Sequence, residues 1–465
     1  MIAVRRLQRS FADGFITDEV TDLWEPWMRH ADKALNDDGL LEIIRTELSK
    51  RFRKSKTRGR PGTTAEVALR MLLLKHMRGW SFEDLTREVR ANLVYREFTG
   101  IGGSRVPDDK TMGRLARQLG PAAIAMLHKR MVEIAVENKV VAGRRMRVDT
   151  TVVETNIHYP TDSKLMGDGV RVLTRVIKKA AGAAGEAGTK FRDRLRSIKR
   201  RILEIAYAAR NKSEKGQAKM KTAYGKLLEA TSRVVGQAKQ FSAVIGQQAK
   251  EAGQSVLRKA KQQLDEMIPR VRQVMRQARE RVLKGNTRSE NKIVSVFEPD
   301  TEVIRKGKAS KPTEFGKMVK IQEAENQIVI HCEVFDKRPA DSVLLTPSIE
   351  KHKELFGRVP DLATADAGFF SAANEAAAKA LGVKRVAVPS RSTKSEKRKA
   401  EQKKRWFKEA QKWRTGCEGR ISILKRRHGL NRSRYQGTHG MKRWVGLGVM
   451  ADNMINIGIH MASKN

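Results

Sequence analysis

The chain has only two cysteines among its 465 residues, Cys332 and Cys417. A disulfide framework and a zinc site made of cysteine thiolates are therefore excluded, because each needs several cysteines at short spacings. The chain also lacks a run of about 18 apolar residues, which a membrane-spanning helix would need. Residues 1–6 contain no apolar signal-peptide core. We therefore expect a cytosolic protein with no membrane segment.

Acidic residues are scarce relative to basic ones. The sequence has 95 Lys and Arg against 52 Asp and Glu, which gives a net charge of +43. Such an excess favours a polyanionic partner, because each cation that neutralises a phosphate releases a condensed counterion. Nucleic acid is the partner that this charge favours, although ribosomal proteins and proteins that bind anionic membranes have a similar balance. Hydrophobic residues make up 40% of the chain, so it is globular, and its length allows two or three domains.

Residues 1–135 are predicted to form a mainly helical N-terminal domain that binds DNA. Apolar residues recur at helical spacing from Thr64 onward, and Ser81 is a suitable N-cap for a second helix over residues 82–89. A third helix is predicted to begin near Asp108 and to continue to Leu119. Short helices separated by glycine-containing turns resemble a helix-turn-helix module.

The third of these helices carries the candidate DNA-reading side chains. Four polar residues lie near one of its faces: Lys110, Thr111, Arg114 and Arg117. A helix that enters the major groove of DNA presents such a face. The alternative interpretation is a plain helical bundle whose charged face is only solvated.

Residues 164–290 differ in composition from the rest of the chain. They contain one proline, Pro269, and almost no aromatic residues, but many Lys, Arg, Gln and Ala. Apolar residues recur at alternating steps of three and four, which is typical of a heptad seam. One stretch of the seam is formed by Leu257, Ala260, Leu264, Met267, Val271, Val274 and Ala278. The pattern predicts long antiparallel helices that form a basic, coiled-coil-like insertion, and the seam could pair within one chain or between chains.

From residue 291 onward the pattern alternates between strands and helices. Short strands are predicted at 293–297 and 302–304, and a hairpin over 315–335 is predicted to turn near Glu325 and Asn326. Further helices are predicted at 341–356, 372–381, 405–427 and 441–461, with strands that end at Asp366 and over 383–388. Residues 136–163 would supply the first part of this α/β core and residues 291–465 the remainder.

Three carboxylates in this core stand out by their surroundings. Asp149 follows the strand-like run 146–148, and Asp366 follows the run 362–365 beside small residues. Glu418 lies on the helix predicted for 405–427. Carboxylates from separate elements can hold two Mg²⁺ ions about 3.5–4 Å apart, which neutralise the attacking and leaving oxygens of a phosphodiester. Hard cations prefer such oxygen ligands. For any single carboxylate, the ordinary alternative is a solvated ion-pair partner.

These segments resemble a known family. Residues 148–154 and 158–163, residues 365–369, and the spacing of Arg414, Glu418 and Lys425 are similar to insertion-sequence transposases with a DDE catalytic core. The likeness covers roughly residues 60–163 and 290–460. The family often has a tyrosine three residues before that arginine, and this chain has Gln411 there.

The resemblance implies a fold, a site and a set of partners. It implies an α/β RNase H-like catalytic core in which Asp149, Asp366 and Glu418 are catalytic residues and hold two Mg²⁺ ions, with Mn²⁺ as a substitute. Arg414 and Lys425 would contact DNA near the cleaved phosphate. The substrates would be double-stranded transposon ends, with their terminal inverted repeats, and target DNA.

Transposition must bring two ends together, so a homodimer or larger assembly is expected, in the bacterial cytoplasm and associated with the nucleoid. One alternative function is that of a non-catalytic DNA-binding protein, either domesticated from such a transposase or of the nucleoid type. A second alternative is an RNase H-like nuclease with a different purpose.

Overall fold

The chain forms two compact units in a computed structural model that describes residues 2–5, 17–51, 58, 62–184, 191–251, 255–305 and 312–464. Unit 1 consists of Met1–Asn156 and Lys306–Asn465, and unit 2 of Ile157–Arg305.

The described residues of unit 1 begin with eight helices. They are α1 (Thr17–Asp22), α2 (Pro26–Leu35), α3 (Asp38–Ser49), α4 (Ala65–Arg78), α5 (Phe82–Ala91), α6 (Leu93–Phe98), α7 (Asp109–Gln118) and α8 (Pro121–Glu137).

Local sequence explains where several of these helices begin and end. The predicted Ser81 cap is confirmed: its side chain accepts from the Asp84 amide, and Asp84 returns the bond in a capping box. Asp108 caps α7 by accepting from the Thr111 amide. Helix α4 ends at Gly79, whose φ of +69° is a left-handed conformation that glycine adopts without strain. These caps fix the turns of the helical region.

The rest of unit 1 is an α/β arrangement around a mixed sheet. Its strands are β1 (Arg145–Glu154), β3 (Thr313–Glu323), β4 (Val329–Val334), β5 (Leu362–Ala365) and β6 (Arg385–Ala387). Its helices are α13 (Leu345–Phe356), α14 (Ala372–Ala380), α15 (Glu396–Lys403), α16 (Arg405–Arg427) and α17 (Gly437–Ala462). The predicted helix over 405–427 is confirmed at both ends.

The order of these five strands in the sheet is β4-β3-β1-β5-β6. Strands β1, β3 and β4 pair antiparallel in succession, whereas β5 runs parallel to β1 and β6 runs parallel to β5. The hairpin predicted over 315–335 is confirmed, with Asn326 and Gln327 at positive φ in its turn. The sheet is therefore mixed, with its parallel half at β1, β5 and β6.

One hydrophobic core joins the N-terminal helices to the C-terminal helix α17. Met28, Leu72 and Met131 belong to the same buried cluster as Met450 and Met454. Helix α17 is also tied to α16 by the buried ion pair of Arg420 with Asp452, whose atoms are 2.7 Å apart. The helical N-terminal region and the sheet region therefore share packing within unit 1.

In the part of unit 2 that the structure describes, there are four long helices and a short strand. They are α9 (Asp162–Ala181), α10 (Leu195–Ala208), α11 (Glu214–Glu251), α12 (Ser255–Ala278) and β2 (Glu302–Arg305). All seven residues of the predicted seam on α12 are buried. They share one hydrophobic cluster with Leu173 of α9, Ile205 of α10 and Leu227 of α11. In this structure the seam is covered by helices of the same chain.

The strand predicted over 293–297 is wrong. The Gln277 side chain of α12 accepts from the Ile293 amide at 3.0 Å and donates to the Ile293 carbonyl at 2.9 Å. Arg270 donates to the Val296 carbonyl at 3.0 Å. Because helix side chains satisfy the backbone here, the apolar segment packs along α12 without a strand partner.

Among the helices that the structure describes, none is both long enough and apolar enough to cross a lipid bilayer.

Candidate active site

Asp149 and Asp366 lie at the same end of two neighbouring strands. The parallel pairing of β1 with β5 runs from Arg145 opposite Leu362 to Val148 opposite Ala365. Each aspartate is the next residue after this last pair. Adjacent strands are about 4.8 Å apart, so the register places the two aspartates side by side at the carboxyl end of the parallel pair.

Asp149 does not end its strand, which corrects the sequence expectation. Strand β1 continues to Glu154, because its antiparallel pairing with β3 extends past Asp149, which is opposite Ile321, as far as Glu154 opposite Gly316. Only the pairing of β1 with β5, its neighbour on the side away from β3, ends just before Asp149. The side chain is 17% exposed, so it is held inside the sheet but still reached by solvent.

Local backbone bonds orient both aspartates. Asp149 Oδ1 accepts from the Thr150 amide at 2.7 Å, and Asp366 Oδ1 accepts from the Ala367 amide at 2.7 Å. Asp366 also caps the short 3-10 turn Ala367–Phe369. Its side chain is 43% exposed and lies 3.5 Å from Arg391. Each carboxylate is therefore oriented by the backbone amide of the residue that follows it.

A buried ion pair holds α16 against the sheet near these residues. The Arg147 guanidinium, two residues before Asp149, pairs with Glu323 of β3, with Nε 2.9 Å from Oε2. It also donates to the Trp413 carbonyl of α16 and lies 4.7 Å from the centre of the Trp413 ring. Gly416 allows this approach, because a Cβ there would be 3.0 Å from Arg147 Cζ.

Gln411 is a second attachment of α16 to the sheet. Its amide nitrogen donates to Thr364 Oγ1 of β5 at 3.0 Å and to the Ala387 carbonyl of β6. Thr364 is two residues before Asp366. Gln411, which stands where the resembled family often has a tyrosine, therefore attaches α16 to β5, the strand that Asp366 follows.

Glu418 reaches the site through Arg414. Arg414 Nη2 donates to Glu418 Oε1 at 2.9 Å, and Arg414 Nη1 lies 3.8 Å from Asp149 Oδ2. The arginine side chain is only 13% exposed, whereas that of Glu418 is 57% exposed. A positive charge thus lies between two of the three carboxylates. Lys425 is half-buried on the same helix, seven residues after Glu418.

A fourth carboxylate lies near this edge and was not singled out from the sequence. Asp341 Oδ1 accepts from Thr150 Oγ1 at 3.0 Å. Its Oδ2 would be 3.3 Å from a Cβ at Gly368, in the turn after Asp366. The only sequence signal was its place at the start of the helix predicted for 341–356.

The donor chemistry fits a divalent cation, although the present side-chain positions do not form a cage. Among the described residues, no group of three or more His, Cys, Asp or Glu side chains is placed to hold a metal ion. Asp149 and Asp366 offer the carboxylate oxygens that Mg²⁺ prefers. Glu418 is instead hydrogen-bonded to Arg414, so this hydrogen bond must break before Glu418 can help to hold a metal ion.

The candidate DNA-reading residues lie on α7, in the helical part of unit 1. Lys110, Arg114 and Arg117 are exposed, and Thr111 is half-buried and accepts from Arg114 at 2.8 Å. They are not part of the carboxylate site.

Comparison with known proteins gives two family matches. The model of a transposase domain (DUF772) matches residues 28–118, and the model of a transposase DDE domain matches residues 376–457. The two matches indicate an insertion-sequence DDE transposase. The first range contains α7, and the second contains Glu418. Asp149, Asp366 and unit 2 lie outside both.

The chain is also similar to the uncharacterized protein ORF8 in the nfe locus of Rhizobium meliloti. It is 30% identical over 127 residues, which cover 26% of this chain and 61% of that protein. The match therefore spans less than two thirds of the relative. No solved structure matches the chain.

Proposed function

We propose that this protein cleaves phosphodiester bonds at transposon ends and joins the resulting 3′-hydroxyl ends to target DNA. The observation that carries the proposal is the register of β1 and β5, which places Asp149 and Asp366 side by side. The contacts of Arg414 support it, because this one guanidinium lies 3.8 Å from Asp149 and 2.9 Å from Glu418.

Asp149, Asp366 and Glu418 would hold two Mg²⁺ ions, for which Mn²⁺ can substitute. Such ions neutralise charge on the attacking and leaving oxygens of a phosphodiester in line with each other. The protein contributes preorientation, since the Thr150 and Ala367 amides already fix the two aspartates. When Glu418 turns toward the aspartates, Arg414 is freed to bind a phosphate oxygen, and Lys425 would contact the same strand of DNA.

The sheet and its helices would form an RNase H-like core. Support comes from the strand order β4-β3-β1-β5-β6, with three antiparallel and two further parallel strands, and from α16 packed across β1 and β5. In this proposal residues 136–163 and 291–465 are the catalytic core, and residues 164–290 are an insertion. Residues 1–135 are the DNA-binding region.

The partner would be double-stranded DNA, both transposon terminal inverted repeats and target. The net charge of +43 and the exposed Lys110, Arg114 and Arg117 on α7 support this choice. We further propose a homodimer or larger assembly, because two ends must be cut and joined in one complex.

Cleavage of labelled duplexes that carry the inverted repeats flanking the gene tests the function. The substitutions Asp149→Asn and Asp366→Asn remove a metal-binding charge without changing side-chain size. We expect Mg²⁺-dependent nicking to fall at least ~10³-fold, on the order of a lost electrostatic contribution of 4 kcal/mol, while DNA binding is retained. Asp361→Asn is the matched control, because Asp361 adjoins the opposite end of β5 and pairs with Lys384.

Two outcomes would contradict the proposal. Nicking that persists in both aspartate variants would show that these carboxylates do not hold the ions. If the wild-type protein binds the repeats and never cuts them in Mg²⁺ or Mn²⁺, the non-catalytic DNA-binding alternative is favoured. The bond that keeps Glu418 on Arg414 is the structural observation on the side of that alternative.

A further inference from the structure

In unit 2 the apolar seam of α12 is buried against helices of the same chain. The four helices α9 to α12 contribute to one buried cluster, and every residue of the α12 seam lies in it. A heptad seam that pairs two chains would have to present such residues on the surface. The exposed side chains of unit 2 therefore determine which partner it can bind.

Those exposed side chains are strongly basic. Residues 157–305 contain 33 Lys and Arg against 15 Asp and Glu, a net charge of +18. Stability does not require this excess, because like charges on a small helical bundle repel one another. The charge is therefore suited to a polyanion outside the unit.

Two neighbouring helices concentrate the basic charge at one end of the bundle. The C-terminal part of α9 and the N-terminal part of α10 lie together, since Lys178 pairs with Asp193. Exposed basic residues cover both outer faces of this end: Arg171, Arg175, Lys178, Lys179, Arg196, Lys199 and Arg200. Within the part of the chain that the structure describes, Arg175, Lys179, Arg196 and Lys199 have no carboxylate partner.

The outer face of α10 also carries an exposed leucine and an exposed tyrosine. Leu203 is 58% exposed and Tyr207 is 66% exposed, and Arg210 lies 5.4 Å from the centre of the Tyr207 ring. Together with Arg196, Lys199 and Arg200 they occur at steps of three and four, which places them on one side of the helix. An aromatic ring among basic side chains can pack on a sugar–phosphate backbone without reading its sequence.

We propose that the outer faces of α9 and α10 bind the backbone of duplex DNA, as a contact separate from α7 and from the carboxylate site. It goes beyond the proposed catalytic function and shares with it only the choice of DNA as substrate. The arrangement fits the phosphate backbone because it offers spaced cations and few hydrogen-bond acceptors, so it would bind DNA of any sequence. Neither matched family range includes these helices.

The test is the salt dependence of binding by the full chain to a duplex of random sequence, measured by fluorescence anisotropy in EDTA. The test variant is R175Q/K179Q/R196Q/K199Q. The matched control, K215Q/K219Q/K226Q/K239Q, removes four exposed charges from α11 in the same unit. Each lost phosphate contact should make the slope of log K against log[salt] about 0.9 less steep.

We expect the test variant to lose about 2 to 3.6 units of slope, the upper figure being four contacts at about 0.9 each, and the control to lose less than about 1. Equal losses in both variants, or an unchanged slope in the test variant, would overturn the proposal. It would also be overturned if the test variant lost binding to phosphatidylglycerol vesicles or single-stranded RNA but not to the duplex. Because no cleavage is needed, a protein that never cuts DNA can still pass this test.

Discussion

At the scale of single residues, Lys75 is the most unusual side chain of the helical region. It is 4% exposed, and its ammonium lies 4.6 Å from the centre of the Trp444 ring, 5.1 Å from that of Phe82 and 5.9 Å from that of Tyr435. The rings attract the cation by their quadrupoles. Burial first, and then the charge of Arg434, lowers the pKa of Lys75 to about 8. The lysine thus joins α4 and α5 to the C-terminal segment.

Its pKa predicts a particular dependence of stability on pH. Between pH 8 and 10.5 the unfolded chain binds a proton at Lys75 that the folded chain does not, so the free energy of unfolding should rise with pH. A lowering of about 2.5 units corresponds to about 3 kcal/mol over this window. Urea denaturation of Lys75→Met should lack this rise, and exposed Lys129→Met should keep it. A rise of the same size in all three proteins would contradict the assignment.

At the scale of elements, the placement of α16 decides the geometry of the site. Arg147 is held by both Glu323 oxygens and in turn contacts the α16 backbone, while Gln411 binds β5 and β6. Removing one partner of a buried ion pair lowers the free energy of unfolding by about 3–5 kcal/mol. The helix that carries Arg414 and Glu418 is therefore located by residues that touch no substrate.

Two glycines of α16 test this placement. In Gly416→Ala the new methyl group would clash with Arg147, which its partners prevent from moving. We expect α16 to shift, the cleavage rate to fall about 10²-fold, as small misplacements of a catalytic group do, and KM for DNA to change little. Gly419→Ala meets nothing within 4 Å and should keep full activity, with a gain of up to about 1 kcal/mol from helix propensity.

The two substitutions lie on the same helix on either side of Glu418, so a general effect of alanine on α16 would appear in both. Equal activity of the two variants would show that the close approach of Arg147 and α16 is not needed. The expected shift is also visible without activity, as a loss of thermal stability in Gly416→Ala alone.

At the scale of the whole molecule, the long gap between the first two aspartates is explained by where the chain leaves and rejoins the sheet. Glu154, near the exit, is paired with Gly316, and the Thr155 amide donates to the Phe315 carbonyl at 3.1 Å. The two ends of the inserted segment therefore meet on neighbouring strands. An insertion at such a position extends the chain without separating the strands that carry the site.

Unit 1 should consequently fold without the inserted helices. A chain in which a flexible linker of Gly and Ser replaces residues 157–300 should unfold in a single cooperative transition and keep binding to the inverted repeats. Its salt slope on random DNA should fall at least as far as that of the four-residue variant on α9 and α10. Circular dichroism and anisotropy measure these outcomes, and a molten or insoluble product would show that unit 1 depends on unit 2.

Much of the local structure could be predicted from the sequence because its causes are local. The Ser81 and Asp108 caps follow from hydrogen-bonding side chains, and the α12 seam follows from apolar spacing. Where a remote residue supplied the hydrogen bonds, as Gln277 did for Ile293, local pattern predicted a strand that does not exist. Asp149 was placed at a strand end for the same reason, since the extent of β1 is set by β3.

The sequence by itself determined the net charge of +43, the buried seam of the helical unit and the three acidic residues worth testing. Only the tertiary structure decided that Asp149 and Asp366, 217 positions apart, are neighbours, because strand register depends on pairing between distant segments. It also decided that Arg414 lies between Asp149 and Glu418, and that Asp341 is near. The position of Arg414 results from packing α16 on the sheet, and that of Asp341 from its hydrogen bond with Thr150 of β1. Spacing along the chain encodes neither contact.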